Sequence, residues 1–425
     1  MIKKYFLNRF FSFNIESHKD IIGNDIISSH NNTNIIEQHS KNINKRLSIL
    51  LIADFDSFGG TRRYFFQLKN FYEMLESVVF IAVEPRIIQI TNFSPNPNQL
   101  ILLPEWKYKH FFGFVQKFFY FFYFFWYQLI TYIKIQIEVK IKKIDLVVIS
   151  TGYGDRYLSI LALNIPCLYI SHSIPKKSRN DKFFWFFLKI TMNPRKRIIA
   201  VSENMRETIL KYWGSETIKK YVICLYNFSE QKDGSILNAY HFESRKTILT
   251  LGHVIWYKNP EFWIKVIESF NTYLKFENYS WIWAGDGELL ENCRKTITEK
   301  EIKNASFIGY TQNVESLYDQ AVVYFQPSIL ESFGLSVLDA MQRGIPCVVT
   351  RAGGLPELVI DGENGFIIEE GDVKGAVEKI IWLLTHPEES ERMGRAGYLR
   401  YKTFFTKEKW YENMLKIHRE ILSFK

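Results

Sequence analysis

From Leu47 onward the chain alternates short apolar runs with segments long enough to form a helix, and this alternation restricts the possible folds most strongly. The apolar runs of the first half are LSILLIAD, SVVFIAVE, QLILLP, IDLVVIST, PCLYIS, RIIAVS and YVICLY. Parallel strands need long crossover connections, so strands separated by helices indicate βαβ units. Runs that are apolar on both faces, such as LVVI, indicate a sheet covered by helices on both sides.

A second series follows a polar, linker-like stretch at residues 229–246. Its predicted strands are KTILTLG, SWIWAG, ASFIGY, VVYFQPS, PCVVT and GFII, and its predicted helices cover residues 260–270, 289–298, 335–343 and 373–384. We predict an α/β protein with two doubly wound, Rossmann-like domains, residues 47–240 and 241–400, that face a cleft. Residues 401–425 are predicted to form a helix that crosses back to the first domain. Ligands of such sheets bind at the carboxyl ends of the strands.

Residues 1–46 do not follow this pattern. They begin with MIKKYFLNRFFSF, where Asn8 and Arg9 interrupt the apolar residues, and continue with a stretch rich in Asn, Ser, His and Ile. This segment has neither an uninterrupted apolar region nor a small-residue cleavage site, so a secretion signal is not indicated. We predict an N-terminal arm, mobile or loosely docked, and assign it no function.

The amino-acid composition, the net charge and the cysteine spacing exclude several classes of protein. Hydrophobic residues make up 47% and charged residues 23% of the chain, which excludes a disordered chain and a multi-span membrane protein. The formal net charge of +9 suits an anionic partner, such as a nucleotide, a nucleic acid or an acidic bilayer surface. The four cysteines lie too far apart for a zinc site or a redox pair, and we predict that they are core residues of a protein in a reducing compartment.

The segment with the densest chemical signals covers residues 326–368. A strand ends at Pro327-Ser328, Glu331 precedes a Ser-Phe-Gly turn, and the next helix carries Asp339. Small residues at a strand-to-helix junction let backbone N–H groups approach a phosphate or sugar oxygen. The alternative is that Glu331 and Ser332 cap the helix and that Asp339 faces solvent, and spacing alone does not separate the two interpretations.

The same segment resembles the sugar-nucleotide signature of the family 4 glycosyltransferases, which have the GT-B fold. Other stretches match the family in the expected order, from the Gly-Gly pair after the first strand to about Tyr411. They are ISHSIPK, VSENMRETI, YNFSE, LGHVIWYKNPEFWIKVI, WIWAGDGELL and FIGYTQNVESLYDQA. The resemblance implies a nucleoside-diphosphate-sugar donor and a retaining reaction without an essential metal or cofactor.

The resemblance also implies roles for single residues. It implies three catalytic residues: Glu331, which would bind the donor sugar, Lys258, which would bind the β-phosphate, and His172, the recurring histidine of the first domain. The remaining donor-binding candidates are Gly59, Gly60, His253, Phe333, Gly334, Leu335 and Asp339. Two of these depart from the family pattern, because Asp339 stands where a glutamate holds the ribose and His253 where an arginine partners the lysine.

Aromatic and basic residues are concentrated in two places. Residues 111–133 contain nine phenylalanines, four tyrosines and one tryptophan, and KKSRNDKFFWFFLK is followed by PRKR. The first stretch is long enough to span a bilayer, but it occupies the position of a domain helix, so we predict a helix lying in the membrane interface. The alternative is a thick core helix. The second stretch suits an anionic leaflet or the phosphates of a lipid-linked acceptor, and nucleic acid is a poor second.

Taken together, these features predict a cytoplasmic enzyme on the inner face of the cell membrane. It would move a sugar to an envelope or polysaccharide acceptor that is lipid-linked. A sugar-nucleotide epimerase or hydrolase of the same fold, or a non-catalytic partner subunit, remain alternatives. Asp54-Phe55-Asp56 resembles a metal-binding motif of another glycosyltransferase fold, but we interpret it as a loop because no further ligands accompany it.

Overall fold

Seven parallel strands form the first sheet, in the order β3-β2-β1-β4-β5-β6-β7. They are β1 (Ser48–Asp54), β2 (Val78–Val83), β3 (Leu100–Leu102), β4 (Leu146–Thr151), β5 (Cys167–Ser171), β6 (Lys196–Ala200) and β7 (Val222–Cys224). The computed structural model describes residues 46–55, 59–91, 95–105, 114–152, 156–175, 181–214, 216–230 and 244–424. The predicted arm, residues 1–46, lies outside them except for Arg46.

Helices connect these strands and cover both faces of the sheet. They are α1 (Gly60–Met74), α2 (Pro85–Thr91), α3 (Phe114–Ile141), α4 (Asp181–Thr191), α5 (Glu203–Trp213) and α6 (Glu216–Lys219). The central strands β1 and β4 are buried along almost their whole length, which explains their continuous apolar sequences.

Six parallel strands form the second sheet, in the order β10-β9-β8-β11-β12-β13. They are β8 (Thr247–Leu251), β9 (Ser280–Ala284), β10 (Ala305–Gly309), β11 (Ala321–Gln326), β12 (Cys347–Thr350) and β13 (Gly365–Ile368). The helices of this half are α7 (Pro260–Phe270), α8 (Leu290–Glu299), α9 (Val314–Gln320), α10 (Leu335–Gln342), α11 (Leu355–Leu358), α12 (Val373–Thr385), α13 (Pro387–Phe404) and α14 (Lys407–Ser423).

Aromatic side chains fill the core beside the second sheet. The indole of Trp263, on α7, meets the rings of Trp281, Trp283 and Phe307 edge-on, with centroids 6.0, 5.6 and 4.8 Å away. All four side chains are buried. Such edge-to-face contacts fix the helix on the sheet, because aromatic pairs prefer this geometry to a face-to-face stack.

Each sheet has one point at which the strand order reverses. In the first sheet it lies between β1 and β4, and in the second between β8 and β11. Ligands of doubly wound sheets bind outside the carboxyl ends of the strands at this point. The predicted fold class is confirmed, and a ligand is expected at the carboxyl ends of β1 and β4 and of β8 and β11.

The C-terminal segment is not one helix. A break at Phe405 separates α13 from α14, and the Thr406 hydroxyl caps α14 by accepting from the Lys409 N–H. Helix α14 packs against α1, where the Tyr72 hydroxyl and His418 Nε2 are 2.8 Å apart.

Helix α3 is apolar on both of its faces. Tyr127, Thr131 and Ile135 are buried toward the sheet, while Trp126 and Ile137 are 58% and 51% exposed. The core-helix alternative therefore accounts only for the inner face. Among the described helices, none combines the length and hydropathy needed to cross a membrane.

Candidate functional site

A cavity of about 850 Å³ lies between the carboxyl edges of the two sheets. It contains every residue that the sequence predicted for the site: Gly59, Gly60, His172, His253, Lys258, Glu331, Phe333, Gly334, Leu335 and Asp339. The cavity volume falls in the range of about 300–1,000 Å³ that is usual for small-molecule sites. The fold thus brings together residues that are up to 280 positions apart in the chain, as the numbers of Gly59 and Asp339 show.

The two adjacent glycines after β1 let the halves approach closely. Gly59 has a φ of 112°, and a Cβ atom at this position would lie 2.9 Å from His253 Nε2. A Cβ atom at Gly60 would lie 3.1 Å from the Leu335 side chain. A larger residue at either position would require the His253 or Leu335 side chain to move.

Two helices begin at the cavity wall without a side-chain cap. Helix α1 begins at Gly60, and α10 begins at Leu335 after Gly334, which has a φ of 108°. The first N–H groups of a helix have no intrahelical partner and carry partial positive charge. Together the two termini create an environment that favours an anion.

Lys258 and Glu331 form an ion pair in the cavity wall. Their side chains are only 14% and 13% exposed, respectively. The Glu331 backbone is fixed by a second turn, because its carbonyl accepts a 2.9 Å hydrogen bond from the Gly354 N–H. Gly353 is packed so closely that a Cβ atom there would lie 1.8 Å from the Glu331 carbonyl oxygen.

Asp339 is held from across the cavity. Arg63, on α1, donates to its Oδ2 at 2.7 Å, and the Ser229 hydroxyl donates to its Oδ1 at 2.5 Å. The nearby carboxylate of Asp339 raises the pKa of Arg63 above its usual value. Both oxygens of Asp339 therefore already have partners, so this aspartate ties the two halves of the molecule together.

His172 follows β5 and lines the same cavity. Its Nε2 lies 3.1 Å from the Ser150 hydroxyl, and its ring meets that of Tyr64 edge-on at 4.6 Å. Burial lowers the pKa of His172 to about 3, so the imidazole is neutral at pH 7. It can exchange hydrogen bonds with a sugar hydroxyl but adds no charge beside a phosphate.

Two family models match the chain. One, described as Glycosyltransferase Family 4, matches residues 81–224, and the other, Glycosyl transferases group 1, matches residues 237–400. Together they match most of the chain, including strands β3 to β13 and most of the residues that line the cavity, while β1 and the glycine pair lie outside both matches. The chain belongs to the family 4 glycosyltransferases.

Individual relatives agree with this assignment. This glycosyltransferase is 31% identical over 140 residues to N-acetyl-alpha-D-glucosaminyl L-malate synthase of Bacillus anthracis, covering 33% of this chain and 37% of that protein. It is 25% identical over 264 residues to the capsular polysaccharide biosynthesis glycosyltransferase CapM of Staphylococcus aureus, covering 57% and 66%. The matches thus span between about a third and two thirds of these relatives.

A solved structure with the same fold is that of HepE from Anabaena, in complex with UDP and glucose. The TM-score is 0.66 at 14% identity, and the match covers 89% of this chain and all of the other. At this identity the likeness shows that the two chains share the GT-B fold.

The first aspartate of the Asp54-Phe55-Asp56 motif has a structural role in this glycosyltransferase, because Asp54 is the last residue of β1 and not part of a loop. Asp54 is fully buried and accepts 2.8 Å hydrogen bonds from Thr151 and from Arg156. Burial raises the pKa of Asp54 to about 6, although Arg156 opposes the shift. Asp56 lies outside the described residues. Within the part of the chain that the structure describes, no three His, Cys, Asp or Glu side chains converge as metal ligands would.

The four cysteines are free thiols, and all but Cys224 are buried. Burial raises the pKa of Cys167 to about 12 and that of Cys293 to about 11. Thiols of this kind are not nucleophiles at neutral pH.

Sequence reasoning missed the residues that join the two halves beside the cavity. Besides Arg63 and Ser229, these include Ser202, whose hydroxyl donates to the Ser332 carbonyl at 2.7 Å. The Glu357 carboxylate accepts 2.8 and 2.7 Å hydrogen bonds from the first two N–H groups of α5. A signal for Arg63 did exist, since GGTRRY places two arginines directly after the glycine pair.

Proposed function

We propose that this glycosyltransferase moves a sugar from a nucleoside-diphosphate sugar bound in the cavity between its two sheets. The observation that carries the proposal is the convergence of two uncapped helix N-termini and Lys258 on one cavity. Helix N-termini bind phosphate oxygens, and a lysine adds a charge-assisted contact. The crystal structure of HepE with UDP and glucose supports the same class of donor for this chain.

The same residues suit a reaction that retains the anomeric configuration. The bond from the sugar C1 atom to the diphosphate breaks while the acceptor oxygen attacks from the same face, and the acceptor's proton leaves with the diphosphate. Lys258 and the two helix termini stabilise the charge that develops on the leaving group. Glu331 and the neutral His172 orient the sugar hydroxyls. No protein nucleophile, cofactor or essential metal takes part.

The acceptor is a saccharide of the cell envelope that is linked to a lipid. CapM is named for capsular polysaccharide biosynthesis, which supports an envelope polymer as the product. The exposed apolar faces of α3 and α4 support a location on the cytoplasmic surface of the cell membrane, because aromatic side chains favour the interface. The net charge of +9 favours anionic lipids there.

Thermal unfolding in the presence of UDP-, GDP- and ADP-sugars tests the donor. A ligand that binds only the native state at about one hundred times its Kd adds roughly 2.7 kcal/mol of stability, so the matching donor should raise Tm selectively. Release of free nucleoside diphosphate without any acceptor would instead identify an epimerase or hydrolase. No Tm shift with any donor would favour a non-catalytic subunit.

A further inference from the structure

We propose that an apolar slot between α3, α4 and the short turn Leu158–Ala162 binds one hydrocarbon chain of the lipid that carries the acceptor sugar. This inference rests on the proposed function and specifies where its acceptor is held. The slot has a volume of about 190 Å³ and is separate from the donor cavity. Its walls include Phe124, Leu129, Tyr132, Leu158, Phe183 and Phe187.

The lining of the slot suits hydrocarbon. Its two polar residues are paired with one another, because the Ser159 N–H donates to Gln128 Oε1 at 3.2 Å and the Ser159 hydroxyl to the Gln128 carbonyl at 3.1 Å. The remaining side chains are aromatic or aliphatic. Cavities lined in this way do not hold ordered water and accept apolar ligands. At about 190 Å³ the slot is smaller than an ordinary metabolite site, so it suits a narrow chain.

The apolar surface continues outward from the slot. Phe125 and Phe183 line it and are 50% and 45% exposed, and Trp126 and Phe186, on the same two helices, are 58% and 56% exposed. Large exposed apolar patches on a protein mark a membrane or binding surface. A hydrocarbon chain could pass from a bilayer into the slot without leaving apolar surroundings.

Charge favours a lipid with an anionic headgroup over a neutral lipid or an apolar protein helix. Residues 176–190 contain five basic residues and one acidic residue, Asp181. The basic residues are Lys176, Lys177, Arg179, Lys182 and Lys189. Lys189 lies over the Trp185 ring at 5.1 Å, so cation and aromatic anchor occur together on α4.

The part of the chain that follows β5 contributes first to the donor cavity and then to the slot. His172, Ser173 and Ile174, which follow β5, line the donor cavity. The next helix is α4, which forms one wall of the slot. Phe183 and Phe184 line the slot from the first turn of α4, the helix that follows the carboxyl end of β5, and the donor cavity lies at the carboxyl edge of the same sheet. We therefore place the head of a phospholipid-type acceptor on the carboxyl side of the first sheet.

Photolabelling with decyl phosphate that carries a diazirine at the chain end tests the slot directly. We expect saturable labelling of peptides from α3 and α4. Ala162 is an exposed residue at the slot, and Ala162→Trp should fill it and lower labelling about tenfold, since several methylenes lose their burial. The control is Leu399→Trp, which adds the same side chain at an exposed position of α13. Non-saturable labelling, or equal labelling of both variants, would overturn the proposal.

A second pair of variants guards against misfolding. Phe183→Ala removes one exposed wall of the slot, and Phe404→Ala removes a similarly exposed ring of α13. We expect several-fold weaker labelling only for Phe183→Ala. Equal labelling of these two variants would also count against the slot.

Two further readouts separate the slot from the donor site. In Ala162→Trp the nucleotide-sugar effect on Tm should be unchanged, while transfer to a lipid-linked acceptor falls and transfer to the free saccharide does not. Saturable labelling without any nucleotide-sugar binding would refute the proposed function and leave the slot standing. Transfer to a lipid-linked acceptor without saturable labelling would refute the slot and leave the proposed function standing.

Discussion

Lys258 and Glu331 show how one ion pair can serve both the fold and the chemistry. Both side chains are mostly buried, and each lies where the resemblance predicted a contact with the donor. A lysine that meets the diphosphate must give up part of its contact with Glu331. The pair therefore holds the two proposed donor-binding groups in position before a ligand arrives.

Lys258→Ala is expected to lower kcat/KM by about 10²- to 10³-fold, the range found when one charge-stabilising group is removed from a transition state. The free energy of unfolding should fall by only about 1–3 kcal/mol, because Glu331 is left without its partner. Kinetics with the matching donor and urea unfolding measure the two effects. Lys265→Ala, an exposed lysine on α7, is the control and should change neither. Unchanged rates in Lys258→Ala would remove this residue from the site.

Arg63 and Asp339 form a second pair, which spans the cavity together with Ser229. Arg63→Met and Asp339→Asn should each destabilise the fold, and the double variant should lose less than the sum. Groups in one hydrogen-bonded network usually show coupling of about 0.5–3 kcal/mol. Urea unfolding of the wild type, the two single variants and the double variant measures this coupling energy. Strict additivity would mean that the two side chains do not interact in solution.

The low pKa of His172 predicts that the free energy of unfolding depends on pH. Its pKa is about 3 in the fold and 6.5 when exposed, so the unfolded chain binds a proton between these values and the folded chain does not. The stability that comes from burying the neutral His172 imidazole is therefore present above about pH 6.5 and is lost as the pH falls toward 3. The difference in unfolding free energy between the wild type and His172→Gln should shrink from about pH 7 to about pH 4. A difference that is constant with pH would contradict the low pKa.

At the scale of elements, the turn around Gly353 supports the turn that carries Glu331. Gly353 has a φ of 51° and no room for a Cβ atom, whereas Gly371 has a φ of 81° and open space around it. Both glycines adopt a backbone conformation that other residues reach only at a cost of about 1 kcal/mol. A comparison of substitutions at the two positions therefore distinguishes the cost of backbone strain, which both share, from the cost of steric contact, which only Gly353 has.

Gly353→Ala should displace the Glu331 backbone and weaken donor binding at least about tenfold, in addition to losing more stability than strain alone explains. Gly371→Ala should lose about 1 kcal/mol and bind the donor normally. Donor titration and urea unfolding of both variants measure this. Equal donor affinity would show that the Glu331 turn does not depend on its neighbour.

The sequence predicted elements better than the contacts between them. Every strand of both sheets falls on a mainly apolar run, because most strand residues are buried between covering helices. The polar residues inside strands, such as Asp54 in β1, have hydrogen-bond partners. Helix α7 has the predicted bounds, since Pro260 favours the first helical turn. The Arg63–Asp339 pair, by contrast, joins residues 276 positions apart. Periodicity reports which face of an element is buried, but it does not report which side chains meet there.

At the scale of the whole molecule, α14 connects the C-terminal part of the chain to helix α1 of the first half. The buried ring of Trp410 lies 5.2 Å from that of Phe71 and 5.3 Å from that of Phe228. Helix α13, which precedes α14, packs against α10 in the second half, and a Cβ atom at Gly397 would lie 3.7 Å from the Met341 side chain. The two C-terminal helices therefore join the first and second sheets.

Trp410→Ala should lower the unfolding free energy by about 3–5 kcal/mol, because a large buried ring leaves a cavity behind. Trp256→Ala removes the same side chain from a position that is 51% exposed, so its effect on stability should be within about 1 kcal/mol. Urea unfolding compares the two variants. Similar losses would mean that α14 does not hold the molecule together.

The close approach of Gly59 to His253 has a consequence for protein engineering. The two residues belong to different halves of the molecule, and a Cβ atom at position 59 would lie 2.9 Å from His253 Nε2, so the imidazole would have to move to admit it. In a mutant library at position 253, for example one that includes arginine, the size of the side chain that the fold accepts depends on the residue at position 59. The two codons should be randomised together, because a beneficial change at one of them is selectable only in the presence of a small residue at the other.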